Sequence, residues 1–291
     1  MCKIINKHII FCLLVVPGMA FSAQDIVAYL ANTGIYWQVW TMNPDGSAQK
    51  QITDSPVDKN HIAWYPDGKH ILVSSNEGAP YKVNIVTKSS IIVSLPVTGM
   101  QDAVVSPDGK NIVFSLSIDD DRDNNHIWLI DSDGNNLRKL TNKGGLQHEP
   151  VWSPDGKWIY FLSKTSGQAH DIWRVSIDGK STEQLTVGQL YHFDLAVFND
   201  RKIAFSSNRT GNYEIWVRDN GKDTSITDND VFDGRPTWSS DANELIYESS
   251  NNGIINLWRI STGKNQMPKQ LTHYKHGARF PIWWNMKHGN P

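Results

Sequence analysis

The 291-residue sequence is 39% hydrophobic and 20% charged, the makeup of a folded chain and not of a disordered one. Its 28 Lys and Arg against 30 Asp and Glu, without a basic run, argue against nucleic acid and anionic membrane surfaces as partners. The two cysteines, Cys2 and Cys12, both lie near the start, so a chain that loses this stretch has no disulfide, thiol nucleophile or cysteine metal site.

The first stretch, MCKIINKHIIFCLLVVPGMAFSA, places Lys3 and Lys7 before an apolar run from Ile9 to Val16, then a Pro17-Gly18 break and the small residues Ala20, Ser22 and Ala23. The run is too short for the roughly 30 Å hydrocarbon core of a bilayer. It reads as a cleavable secretory signal over residues 1–22, leaving residues 23–291 as a mature chain in the periplasm or outside the cell. Cys12 lacks the small-residue context of a lipid-anchored signal.

From Asp25 onward the chain repeats itself. DIVAYLA, Asp25 to Ala31, reads as a strand, and similar patterns recur behind Asp67, Asp108 and Asp155 in Pro-Asp-Gly turns and behind Asp200 and Asp241 in blurred copies, at intervals of 41, 47, 45 and 41 residues. A second landmark sets Trp40, Val83, Trp128, Trp173, Trp216 and Trp258 in register. A third sets Thr53, Ser94, Thr141, Thr186 and Thr227 each 14 residues before a turn aspartate, and Thr272 extends the series. Each unit reads as four short strands, the second with the period-2 alternation of WIYFLS, and helical periodicity is absent. Four strands per repeat of this length make a β-propeller blade. Trp283 falls where Trp64, Trp152 and Trp238 sit in other units, after which the pattern stops, while DIVAYLA lacks a first strand before it. The C-terminal strand is therefore expected to pair with the N-terminal one, closing an all-β, six-bladed ring over residues 23–291.

The segments EPVWSPDGKWIYFLSKTSGQAHDIWRVSIDGKSTEQLT and IAFSSNRTGNYEIWVRD resemble the repeats of the TolB C-terminal β-propeller family, and the resemblance extends over essentially residues 25 to 291. It implies a periplasmic or secreted propeller, whose TolB member docks proteins, including the peptidoglycan-associated lipoprotein, at the mouth of its central channel. That member also carries an N-terminal α/β domain, whereas here the repeats begin directly after the leader. The resemblance therefore implies the propeller fold and does not by itself imply the role of the Tol-Pal component.

The Pro-Asp-Gly aspartates are read as turn formers, since Pro fixes φ, Asp bonds the local backbone and Gly accepts a positive φ. Functional groups are sought six residues before each turn position, at His61, Asp102, Glu149, Asp194 and Arg235, with Phe280 and its neighbour Arg279 in the last unit and His148 and His192 close by. These are expected to crowd the channel rim. They would receive an envelope protein or peptide segment, or a small polar ligand such as a saccharide, on a monomeric chain that does not span a membrane. No cofactor is required, but the long loop with Asp119, Asp121, Asp123 and Asn125 has a spacing that suits Ca²⁺ or another divalent cation, without the glycine and terminal glutamate of an EF-hand. The alternative is a metal-assisted polysaccharide lyase or hydrolase resembling oligogalacturonate lyases, with His61, His148 and His192 and Glu149 or Asp194 as cation ligands. Against it, the sequence has no Ser-His-Asp spacing and no HExxH.

Overall fold

Strand-forming runs such as Trp158–Lys164 and Lys202–Ser207 are buried along nearly their whole length instead of on alternate residues. Such burial requires a neighbour on both faces. A computed structural model, which describes residues 25–117, 125–142, 144–164, 169–188, 192–263 and 267–284, supplies those neighbours. The described residues form six four-stranded sheets stacked face to face around an axis, the six-bladed β-propeller expected from the repeats.

Blade 1 joins the two ends of the chain: Ala278–Trp284 is its innermost strand, followed outward by Ile26–Asn32, Trp37–Met42 and Lys50–Gln51. Ile26 pairs with Trp284 and Ala31 with Ala278, antiparallel, so the ring closes as predicted. In the other five blades the chain runs outward in order from the innermost strand: Lys59–Trp64, Gln101–Val105, Leu146–Trp152, His192–Val197 and Asp233–Trp238 for blades 2 to 6.

The core is a set of six apolar layers, one per blade interface. Ala28, Leu30 and Val39 of blade 1 meet Ile62, Ile71 and Val73 of blade 2, for example, and Tyr160, Leu162 and Ile172 of blade 4 meet Leu195, Ile203 and Phe205 of blade 5. Burying each such side chain stabilises by about 1.5–3 kcal/mol, so the energy of the fold lies between blades as much as within them.

The repeated motifs now have physical jobs. In the Pro-Asp-Gly turns, Oδ1 of Asp67, Asp108 and Asp155 accepts the backbone N–H of Lys69, Lys110 and Lys157, while Gly68, Gly109 and Gly156 take φ of 61°, 74° and 68°. In blade 5 the acceptor is Asn199, which bonds the N–H of Arg201, so the turn of the blurred copy is built one residue earlier than Asp200. The recurring threonines Thr53, Thr141, Thr186, Thr227 and Thr272 are buried and accept the N–H of Val39, Ile127, Ile172, Ile215 and Leu257 at 2.8–3.0 Å. Each thus ties the link beyond an outer strand back to the third strand of its blade. Among the tryptophans three places before the turn, Trp64, Trp152 and Trp238 donate Nε1–H to the carbonyls of Ile282, Val104 and Ala196 in the preceding blade, at 3.1, 3.2 and 2.9 Å.

Candidate functional site

The residues six places before each turn do not lie in loops. They lie within the innermost strands, at irregularities where strand pairing shifts register, as between His148 and Val151 or between Gly234 and Thr237. Asp102, Glu149, Asp194, Arg235 and Phe280 all take left-handed φ, between 46° and 59°. That conformation is uncommon for residues other than glycine, and here five non-glycine residues hold it at equivalent places around one axis.

At four of these positions, Glu149, Asp194, Arg235 and Phe280, the backbone N–H reaches a carboxylate of the preceding blade. Asp102 Oδ2 accepts the N–H of Glu149 at 3.4 Å, Glu149 Oε2 that of Asp194 at 2.7 Å, and Asp194 Oδ2 that of Arg235 at 3.2 Å. The acids predicted as free rim charges are therefore inter-blade clasps as well. Ser115 and Ser206 donate to Asp102 and Asp194, each at 3.2 Å, and His148 Nδ1 lies 3.4 Å from Glu149 Oε1. At blade 6 the pattern inverts: Arg235 replaces the acid, and Glu248, on the second strand, accepts the N–H of Phe280 at 2.6 Å. Sequence reading missed Glu248, although an acid in the apolar run ELIYES was a visible signal.

Arg235 joins the two halves of this ring. Its guanidinium lies 3.5 Å from both Asp194 and Glu248 and stacks 4.5 Å from the Phe280 ring centroid. Burial pushes Glu248 up to about 7 and raises Asp194 above its ordinary value, the arginine countering in both cases. Burial also acts to raise Glu149, but hydrogen bonding and charge from His148, with help from Arg235, hold it below the usual carboxylate range. His61 is 9% exposed and lies edge-on to Phe280 at 4.7 Å, with neither ring nitrogen hydrogen-bonded among the described residues. Burial pushes its pKa down to about 4, so the imidazole is neutral at pH 7. Of these groups His61, Asp102, Glu149, Asp194, Arg235 and Phe280 line a cavity of about 320 Å³, together with Trp64, Trp152, Trp238 and Trp283.

The remaining predicted residues fall around this ring in different roles. Arg279 stacks over Trp37 at 4.0 Å, and His148 pairs with His170 at 2.9 Å. His192 is buried against Phe205, with its ring centroid 5.1 Å away. Among the described residues no three His, Cys, Asp or Glu side chains are placed to hold a metal, so the histidines proposed as lyase ligands do not form such a set. Asp119, Asp121 and Asp123 lie outside the described residues; Asn125 is buried immediately before the third strand of blade 3, His126–Asp131.

A family model described as the TolB beta propeller domain matches residues 83–287. The chain belongs to the TolB β-propeller family. Its relatives include an uncharacterised protein of Agrobacterium fabrum, 27% identical over 63% of this chain and 82% of that protein. The Tol-Pal system protein TolB of Anaeromyxobacter dehalogenans is 31% identical over 47% of this chain but only 30% of its own length. TolB from Acinetobacter baumannii shares the fold at a TM-score of 0.77 and 24% identity over 89% of this chain and 66% of that one. An oligogalacturonate lyase solved with manganese also shares the propeller fold, at a TM-score of 0.57 and 12% identity over 81% of this chain and 70% of its own. The chain thus spans 30% of the Anaeromyxobacter TolB and 66% of the Acinetobacter one. In this member of the family Asp102, Glu149, Asp194, His61 and Arg235 line one cavity between the innermost strands.

Proposed function

We propose that this chain is an exported protein-binding or scaffold module of the cell envelope that holds a protein segment, or a small polar ligand such as a saccharide, at its channel mouth. The observation that carries the reading is the ring around the 320 Å³ cavity, where buried His61 offers two uncommitted ring nitrogens beside the partly exposed Arg235. A preorganised, concave polar site loses little ordering entropy on binding. The acids of blades 3 to 5 and the arginine of blade 6 divide the field across the mouth, which orients a dipolar or mixed-charge partner. Family membership and the relative named as a Tol-Pal system protein support an envelope partner, and the signal-like residues 1–22 support export to the periplasm.

Two measurements test this. Val104 lines the cavity, and Val104→Trp should narrow it without removing any rim carboxylate. The wild type is expected to capture a partner from an envelope extract, V104W to lose it while still unfolding cooperatively, and Lys157→Glu on the opposite, turn-bearing end to retain it. Equal capture by V104W would place binding elsewhere. Sequencing of exported protein should begin near Phe21, Ala23 or Gln24, whereas an intact Met1 in a cytosolic fraction contradicts export.

A further inference from the structure

The outer strand of each blade is an edge, and five of the six are guarded by charge. Lys50–Gln51, Arg138–Lys139, Thr182–Gln184, Lys222–Ser225 and Lys269–Gln270 each contain at least one Lys, Arg, Asp or Glu, the usual defence against edge-to-edge pairing. The outer strand of blade 2, Ser90–Ile92, contains none. Ile91 and Ile92 are 73% and 70% exposed, and Val86 in the preceding turn is 70% exposed. This departure sits beside another: Ser94 stands where five other units have the buried threonine.

The hydrogen-bond phase shows what the edge offers. Val93 donates its N–H to Pro80 and Asn84 donates to Ser89, both at 2.9 Å, which makes Lys82 and Ile91 the hydrogen-bonded pair between them. Ser90 and Ile92 are then in the non-bonded positions opposite Val83 and Tyr81 and aim their N–H and C=O groups away from the sheet.

We infer that this edge pairs antiparallel with the same strand of a second copy of the chain, about a two-fold axis through Ile91. The sequence is self-complementary in that register. Ile91 faces Ile91 of the copy, while Ser90 and Ile92 exchange two reciprocal pairs of backbone hydrogen bonds with their counterparts. Lys88, the only charged residue from Lys88 to Ser94, falls opposite Ser94, so no like charges meet. The corresponding two-fold pairing of Thr182–Gln184 would set Glu183 against itself. The short strand buries far less than the roughly 800 Å² per partner of a standard interface, so the dimer is weak and concentration-dependent. It replaces the monomer expected from the sequence at high concentration, and it is independent of the channel site, since it uses the rim of the disc.

The test uses the leaderless chain, which has no cysteine of its own. Ile91→Cys should oxidise to a disulfide-linked dimer because a non-hydrogen-bonded antiparallel pair brings the two Cβ atoms close. Val86→Cys, at similar exposure, should not, because the register places Val86 opposite Pro96 of the copy. By sedimentation equilibrium from micromolar to millimolar concentration, the wild type should approach a dimer and stop there. Ile91→Lys should raise the dissociation constant roughly a hundredfold by setting two ammonium groups face to face, while Thr182→Lys should leave it unchanged. A wild type that stays monomeric throughout, equal cross-linking at positions 86 and 91, equal dimerisation of I91K, or growth beyond a dimer would each overturn the inference.

Discussion

Arg235→Met isolates the electrostatic part of the channel ring, since methionine keeps an apolar stem over Phe280 and removes only the cation. The charge it leaves behind is that of Asp194 and Glu248, whose side chains are 8% and 5% exposed. Breaking a fully buried ion pair costs about 3–5 kcal/mol. Arg235 is itself 37% exposed, so solvent screening reduces the expected loss to about 1–3 kcal/mol at pH 8. The loss should depend on pH in a definite direction. Both acids already sit above their ordinary values, Glu248 at about 7, and removing the arginine raises them further. A raised carboxyl favours the folded state only while protonated, so that contribution is present at low pH and is lost as pH rises through the folded-state pKa. Urea unfolding at pH 5 and pH 8 should therefore show R235M close to wild type at pH 5 and clearly weaker at pH 8. A deficit equal at both pH values, or larger at pH 5, would refute the reasoning.

Three further predictions address other parts of the fold. Asp233 is fully buried near Glu214, and burial lifts its pKa to about 6, so its ionisation opposes folding as pH rises through 6; Asp233→Asn should add up to about 3 kcal/mol at pH 8 and almost nothing at pH 4, and a less stable variant at pH 8 by urea midpoint would contradict this. Thr186→Val removes the acceptor for Ile172 N–H and the donor to Asp171, at 2.8 and 3.0 Å, and should cost about 1–3 kcal/mol by thermal unfolding; no measurable change would mean that the threonine ties are dispensable. Deleting residues from Arg279 onward strips the innermost strand from blade 1 and should produce aggregation or non-cooperative unfolding, whereas a soluble, cooperative truncation would sink the closure account.

What the sequence made legible was local chemistry. Proline, aspartate and glycine specify a turn within a few residues, so Asp67, Asp108 and Asp155 marked three blades without reference to anything distant. Equal spacing then supplied the remaining units and the closure of Ala278–Trp284 on Ile26–Asn32. The ring at the channel was found by position but not by role. Asp102, Glu149 and Asp194 accept N–H groups 41 to 47 residues onward, and nothing in either segment alone announces that pairing. The bulges were invisible for a related reason: acids, an arginine and a phenylalanine hold left-handed φ where glycine would have given the signal. Glu248 was passed over because its role exists only in relation to Arg235, at which the acid pattern is reversed. The second strands read as alternating from a pattern such as WIYFLS, whereas Trp158–Lys164 and Lys202–Ser207 are covered on both sides.

The join in blade 1 also sets a timetable for folding. Trp283 donates its indole N–H to Asp25, 258 positions away, and the strand Ile26–Asn32 has its inner partner only in Ala278–Trp284. During synthesis, blades 2 to 6 can each assemble as their own four strands emerge, but blade 1 must wait with an uncovered apolar strand until the last one arrives. The disc therefore cannot become a closed ring while it is being made. A chain held open in this way is at its most vulnerable to proteases and to mispairing early. Topology alone makes the strand Ala278–Trp284 a latch on Ile26–Asn32.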